Sequence, residues 1–317
     1  MTAEQLPLFS GQEPLESETK ARGPSSPFQP DMPLSVAFER FREHLVQNDY
    51  AENTVKSFLG DLKILKRYLK GDPPIGRIGV ADLQRFLLWL QHERAVPCSP
   101  KSYARRLTTL KVFFGWLNEV GARPSDPAAG LVHKPVQTPM PLILSDQQVE
   151  QVLAATREMM TKEKPDPRPH LLVTLLLHTG IKKQECMGIR LSHIDTSDPK
   201  EPFVQIRYAN PRMQHKERRL RLPAEWAQTL ALYRRVYELK EALFPCTARN
   251  LEYVLTDVEK LAGLPDGLSF EMLRWTCAVR DYQSRMDRDK LRRKMGLSMM
   301  SWRETEPKIV RLAEPPL

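Results

Sequence analysis

Residues 123–141, RPSDPAAGLVHKPVQTPMP, hold five prolines and no apolar residues at helical spacing. Proline removes a backbone donor and drives the residue before it out of the helical region. A helix arriving from either side must stop here. Amphipathic helix patterns fill both flanks, so the chain is constrained to two separate bodies joined by a linker, taken as 123–142. A length of 317 residues suits two domains of ordinary size.

The N-terminal flank, 33–122, reads as four helices. Phe38, Phe41 and Leu45 lie three and four apart. Val55, Phe58, Leu62, Leu65 and Leu69 repeat the spacing, with Asn53 as the expected N-cap. Leu83, Phe86, Leu87 and Leu90 follow, opened by Asp82. Ser99-Pro100 places cap and first-turn residues in the right order for a fourth helix, striped by Tyr103, Leu107, Leu110, Phe113, Phe114 and Leu117.

The C-terminal flank, 143–317, is also mostly helical. Ser145 and Gln148 form a capping-box pattern. HLLVTLLLHTG (170–180) is apolar nearly all round, as a buried helix should be, with Gly180 as its stop. FVQIRY (203–208) and RRLRL (218–222) alternate with strand period, and ANPRMQH between them reads as a hairpin loop. Helical pattern resumes from Pro223, with Ser269 capping a helix that carries Met272, Leu273 and Ala278.

Residues 1–32 are rich in Pro, Ser, Gly and Glu and are expected to stay disordered, either as a mere leader or with Leu6, Leu8 and Phe9 docking on a partner. Five carboxylates against Lys20 and Arg22 make this tail −3. The whole chain carries +9, so the rest carries +12. A body this basic favours a polyanion, because Lys and Arg displace counterions condensed on phosphates. The cysteines, Cys98, Cys186, Cys246 and Cys277, show no metal-ligand spacing and read as buried thiols of a reducing compartment. No histidine pair has metal spacing either, so no metal or cofactor is expected. No apolar run reaches the length of a membrane span, and the chain is expected in the cytoplasm, on the nucleoid.

Three segments in this order carry a resemblance: SPKSYARRLTTLKVFFGWLNEVG, TGIKKQECMGIRLSHID and LSFEMLRWTCAVRD. With HKERRLRLP between the last two, they resemble the tyrosine recombinase/phage integrase family of the Xer type. The resemblance spans about 33–300. It implies a mainly α fold: a four-helix, SAM-like core-binding domain, then a mostly helical integrase-type catalytic domain with a small β-hairpin. It also implies closure of the two domains around double-stranded DNA. In such enzymes a tyrosine attacks a phosphodiester and forms a 3′-phosphotyrosyl link. Two arginines clamp the non-bridging oxygens, a hairpin lysine protonates the leaving oxygen, and histidines complete proton transfer.

Carried over by position, most of these groups are changed. The first arginine of the TG-apolar-Arg motif is Lys182, a point charge without the bidentate fork. The hairpin lysine falls near Arg212 or Met213, and Lys216 is the nearest lysine. The His-x-x-Arg motif reads Glu271-Met272-Leu273-Arg274, keeping only the arginine. Glu271 is expected to repel a phosphodiester, or to pair with Arg274 or Lys182 and neutralise the pocket. The Gly-His pair reads Gly296-Leu297, and the nucleophile position holds Glu306. The last tyrosine is Tyr282, and Ser298 and Ser301 lack a histidine downstream to activate them.

The expected function is therefore a DNA-binding pseudo-enzyme of this family, an accessory factor or regulator of recombination or integration. The expected DNA contacts are Lys56, Lys101, Arg105, Arg106, Lys182, Lys216 and Arg274, with Arg105 and Arg106 foremost. The basic run 286–296 fits either phosphate contact or a solvated helix face. The resemblance further implies docking of the C-terminal segment, with Ile309, Val310 and Leu312, onto a neighbouring recombinase-like protomer. Two alternatives stand beside this reading. One is an active recombinase with a displaced or trans-supplied nucleophile; the other is a protein scaffold that no longer binds DNA.

Overall fold

The computed structural model describes residues 29–96, 98–132 and 139–314. Most of the expected disordered tail, with Leu6, Leu8 and Phe9, and the last three residues lie outside them. The chain divides into two compact units, 1–138 and 139–317, and the division falls within the proline-rich stretch.

Among the described residues the first unit holds four α-helices: α1 (Leu34–Gln47), α2 (Glu52–Tyr68), α3 (Val80–His92) and α4 (Pro100–Glu119). Their apolar stripes meet in an aromatic centre. Phe113 contacts Phe38, Phe41 and Phe114 edge-on, with ring centroids 5.1–5.6 Å apart. Edge-to-face rings add to the free energy of burial itself. Ser99 caps α4 by accepting from the Ser102 amide. Two caps differ from expectation. Ala51, not Asn53, precedes α2, and its carbonyl takes the Thr54 and Val55 amides at 2.8 and 3.1 Å. Asp82 sits in the first turn of α3 and reaches back to the Gly79 amide at 2.9 Å. Pro30 and Met32, assigned to the tail from sequence, instead bond to 75–76: the Ile75 amide donates to the Met32 carbonyl at 2.9 Å and the Gly76 amide to the Pro30 carbonyl at 2.7 Å.

The second unit is built around α6 (Arg168–Thr179), whose residues are almost all buried. It packs among α5 (Asp146–Thr161), α8 (Ala224–Tyr237), α9 (Ala248–Ala262) and α10 (Phe270–Gln283). Short α7 (Lys183–Met187) follows α6, and α11 (Arg288–Lys294) and α12 (Met299–Ala313) close the chain. Ser145 and Gln148 make the reciprocal cap of α5. The expected hairpin is part of a three-stranded antiparallel sheet: β1 (Ile194–Asp195), β2 (Phe203–Ile206) and β3 (Arg218–Arg221), in that order. Val204 pairs with Leu220, and Ile206 with Arg218. The fold is thus mainly helical with a small sheet. Among the described residues no helix is long and apolar enough to cross a membrane. Cys186 and Cys277 are buried; Cys98 and Cys246, expected to be buried as well, are only partly so.

Candidate functional site

The turn after α6 sets up the site. Gly180 takes the left-handed conformation, φ 58°, and its carbonyl accepts from Arg274 Nη1. Arg274 Nη2 donates to the Met295 carbonyl at 2.7 Å. Arg274 is therefore a buried cation on α10 that ties two turns together, and burial pulls its guanidinium below the usual arginine range. Lys182 follows Gly180 at the start of α7, with its Nζ 3.3 Å from the Gly296 carbonyl. Burial is the main influence holding its ammonium below the usual lysine range; Glu185 acts against this, while Arg274, Lys216 and Arg218 add to it.

The centre of the site is Glu185. It lies in the first turn of α7 and accepts the Lys182 amide at 2.8 Å. Arg218, from β3, grips the same carboxylate through Nη2 at 2.8 Å and Nη1 at 3.2 Å. The Tyr208 hydroxyl donates to it as well. Their side chains are 2% and 9% exposed for Glu185 and Arg218, so this is a buried pair with its lone pairs satisfied. Burial pushes the Glu185 carboxyl upward, yet the hydrogen bonds and charge of Arg218 outweigh that and hold it below the usual range. Burial and Glu185 together push the Tyr208 phenol to about 12. Gly296 belongs to the same cluster. Its φ is +60°, and a Cβ there would stand 2.7 Å from Arg218 Nη1, so the arginine requires a glycine.

Three cations therefore act with one buried carboxylate, Glu185: Lys182, Arg218 and Arg274; the charge of Lys216 reaches Lys182. Lys216, half-buried at the end of the β2–β3 loop, stands 3.8 Å from Met213 Sδ. Lys182 and Arg274 open onto a cleft of about 370 Å³, also lined by Lys183, Glu252, Ser269 and Glu271. Such a cluster can hold a phosphate by charge and hydrogen bonds.

Glu271 does not pair with Arg274 or Lys182. Its Oε1 accepts from Trp275 Nε1, one turn along α10, at 2.7 Å, and its charge still acts on Arg274, after that of Glu185. Leu297 and Glu306 do not line the cleft. Leu297 packs against the apolar cluster that holds Trp275 and Trp302, and Glu306 on α12 pairs with Arg288 at 3.0 Å. Ser298 caps α12 through the Ser301 amide, and Tyr282 packs into the same apolar cluster. In the basic run, Arg292 and Arg293 bind Asp289, and Lys294 binds Asp281. The C-terminal helix lies on its own subunit: Ile309 is fully buried in the cluster it forms with α10.

In the first unit the two foremost candidates part company. Arg105 is exposed and binds Asp61 Oδ2 at 2.7 Å. Arg106, expected on DNA, is only 8% exposed. It lies 3.4 Å from Asp61 Oδ1 and contacts the Cys98 sulfur, so it is a packing residue between α4 and α2. Adjacent helical residues are 100° apart, and here one faces out and the other in. Thr109 also donates to Asp61, whose carboxyl burial pushes upward against the pull of these partners. Lys56 and Lys101 are exposed, Lys56 in a helical pair with Glu52.

The sequence reading missed Glu185 and Arg218. Both carried a signal. Glu185 stands three residues after Lys182, the spacing of a first-turn carboxylate that closes on the residue before its helix. Arg218 shares strand parity with buried Leu220, an inward position where a cation needs a partner.

Residues 38–121 match the phage integrase N-terminal SAM-like domain. Tyrosine recombinase XerC of Mycobacterium leprae is 30% identical over 162 residues, 50% of this chain and 53% of that protein. The chain thus spans about half the length of the relatives it matches first. Among solved structures, a lambda integrase dimer bound to a COC′ core site superposes with a TM-score of 0.68 at 14% identity, covering 90% of this chain and 80% of that one. XerH recombinase bound to a palindromic difH substrate gives 0.65 at 16%, covering 89% and 93%. Motif order, the matched N-terminal domain and the shared fold agree: the chain is similar to the tyrosine recombinase/phage integrase family, of the Xer type.

Proposed function

We propose that this protein binds duplex DNA without cutting it, as an accessory or regulatory factor in recombination or integration. The observation that carries the reading is the division of labour around the cleft. The phosphate-attracting groups Lys182 and Arg274 line the cleft; the charge of Glu185 acts on both, and that of Lys216 acts on Lys182. The positions that the family's chemistry needs for proton transfer and attack hold other groups: Glu271, a cleft-lining carboxylate bonded to Trp275, Leu297 in an apolar cluster, and Glu306 paired with Arg288. Groups that act as a unit fail together when several are replaced. Relatives solved on core-site and difH DNA support a DNA partner. On the first unit, Lys56, Lys101 and Arg105 are the exposed cations that add phosphate contacts.

The test is duplex binding by the full chain across a salt series, with genomic fragments retained on the protein sequenced. Binding that weakens steeply with salt and enriches one motif is expected, since each phosphate neutralised releases counterions. No binding at low salt contradicts the proposal and leaves a protein scaffold.

A further inference from the structure

Two of the four cysteines stand at the same end of one backbone pairing. The segment after α7 runs antiparallel to the segment before α9. The Leu243 amide donates to the Ile189 carbonyl at 2.9 Å, and the Leu191 amide to the Glu241 carbonyl at 2.8 Å. Arg190 and Ala242 face each other between these bonds. Cys186 stands three residues before Ile189, and Cys246 three residues after Leu243. Antiparallel register therefore brings both thiols to one end of the pairing. Both also belong to the apolar core of the second unit, Cys186 within it and Cys246 packed against it. Burial pushes the Cys186 thiol up, and the nearby charge of Cys246 adds to that push.

Their exposures differ in a way that sets the order of a reaction. Cys186 is fully buried, whereas Cys246 is partly exposed. The Arg168 guanidinium opposes the upward push of burial on the Cys246 thiol. A peroxide arriving from solvent therefore reaches Cys246 first. The Cys246 thiolate attacks one peroxide oxygen, the O–O bond breaks and hydroxide leaves, and the sulfur becomes a sulfenic acid. The Cys186 thiolate then attacks that sulfur, the S–O bond breaks, a second hydroxide leaves and the S–S bond closes. The two hydroxides take up the two thiol protons. Two thiols and one hydrogen peroxide thus give one disulfide and two waters.

We propose that Cys186 and Cys246 close a reversible disulfide under peroxide, which displaces α7 and with it the cationic cleft. α7 is only five residues long, so a bond at Cys186 acts on the whole helix. Glu185 is the adjacent residue, and its carboxylate holds the Lys182 amide at 2.8 Å. Both thiols are free in this structure, so closing the bond moves α7 against the 241–246 segment. That movement disturbs the grip of Arg218 on Glu185 and the placement of Lys182. The bond stands independently of DNA; its effect on duplex affinity rests on the DNA-binding reading above.

The test treats the full chain with hydrogen peroxide, blocks the remaining thiols by alkylation and maps non-reduced peptides by mass spectrometry. A linked Cys186–Cys246 peptide is expected, released by dithiothreitol. Amide hydrogen exchange at 182–187 should rise in the oxidised protein. Duplex affinity should fall by roughly 5- to 150-fold, and reductant should reverse both changes. Cys246→Ser, at the partly exposed position, should bind like the reduced wild type and show neither response to peroxide. An oxidised wild type without the linked peptide overturns the inference. So does a linked protein whose exchange at 182–187 or duplex affinity matches the reduced form, or a Cys246→Ser variant that still responds. A wild type that binds no duplex contradicts the proposed function, and the linked peptide and the exchange at 182–187 then decide this inference by themselves.

Discussion

Arg218 of β3 and Glu185 of α7 are joined by two hydrogen bonds, 2.8 and 3.2 Å long, 33 residues apart in sequence and almost fully buried. They lock the sheet to the turn that carries Lys182, and Arg218 also donates to the Lys294 carbonyl at 2.7 Å. Breaking such a pair leaves an uncompensated charge in the interior. Glu185→Ala is expected to destabilise the second unit by about 3–5 kcal/mol, read from denaturant unfolding of the full chain. A loss below about 1 kcal/mol would show that the pair is not what holds the site.

The same carboxylate gives a pH dependence. Its folded pKa is depressed, so its stabilisation is present above the ordinary carboxylate range, about 4.3. That stabilisation is lost as pH falls through the lower folded value. Thermal unfolding of the wild type should therefore weaken as pH drops below about 4. A Glu185→Gln variant should start less stable at neutral pH and lose less on acidification. Parallel curves for the two proteins would remove Glu185 from the acid response.

Arg105 and Arg106 should separate in mutagenesis. Arg106→Ala strips a buried partner from Asp61 and is expected to cost several kcal/mol of stability, on the order of 3–5. Arg105→Ala, at an exposed position, should cost about 1 kcal/mol or less in folding and reduce DNA affinity and its salt slope. Equal stability losses would contradict the inward and outward assignment.

Restoring the nucleophile alone should not restore cutting. In Glu306→Tyr the new hydroxyl would stand on α12, away from the residues that line the cleft, while Lys182 and Glu271 remain unchanged. Gel analysis of a nicked duplex should show no covalent product. Efficient cleavage by this single variant would refute the account of a dismantled site.

Much of this was legible locally. Ser99-Pro100 and Ser145 with Gln148 specify their helix starts because a cap is decided within four residues. Arg106 was legible in principle: it stands four before Leu110 and seven before Phe113, on the core stripe rather than beside it. Its charge concealed that spacing. The cap at Asn53 failed because the Ala51 carbonyl takes the first amides without a polar side chain. Glu185 with Arg218, and Glu306 with Arg288, are pairings across separate elements. Sequence shows that an inward cation needs a partner, but only the tertiary fold selects which carboxylate provides it.

The most direct test of the central claim is covalent trapping. The full chain is incubated with its selected duplex carrying a nick that lets the cleaved strand escape, then resolved under denaturing conditions. The account predicts salt-sensitive binding with no protein–DNA adduct. An adduct on the wild type would contradict it and return the protein to the active recombinases.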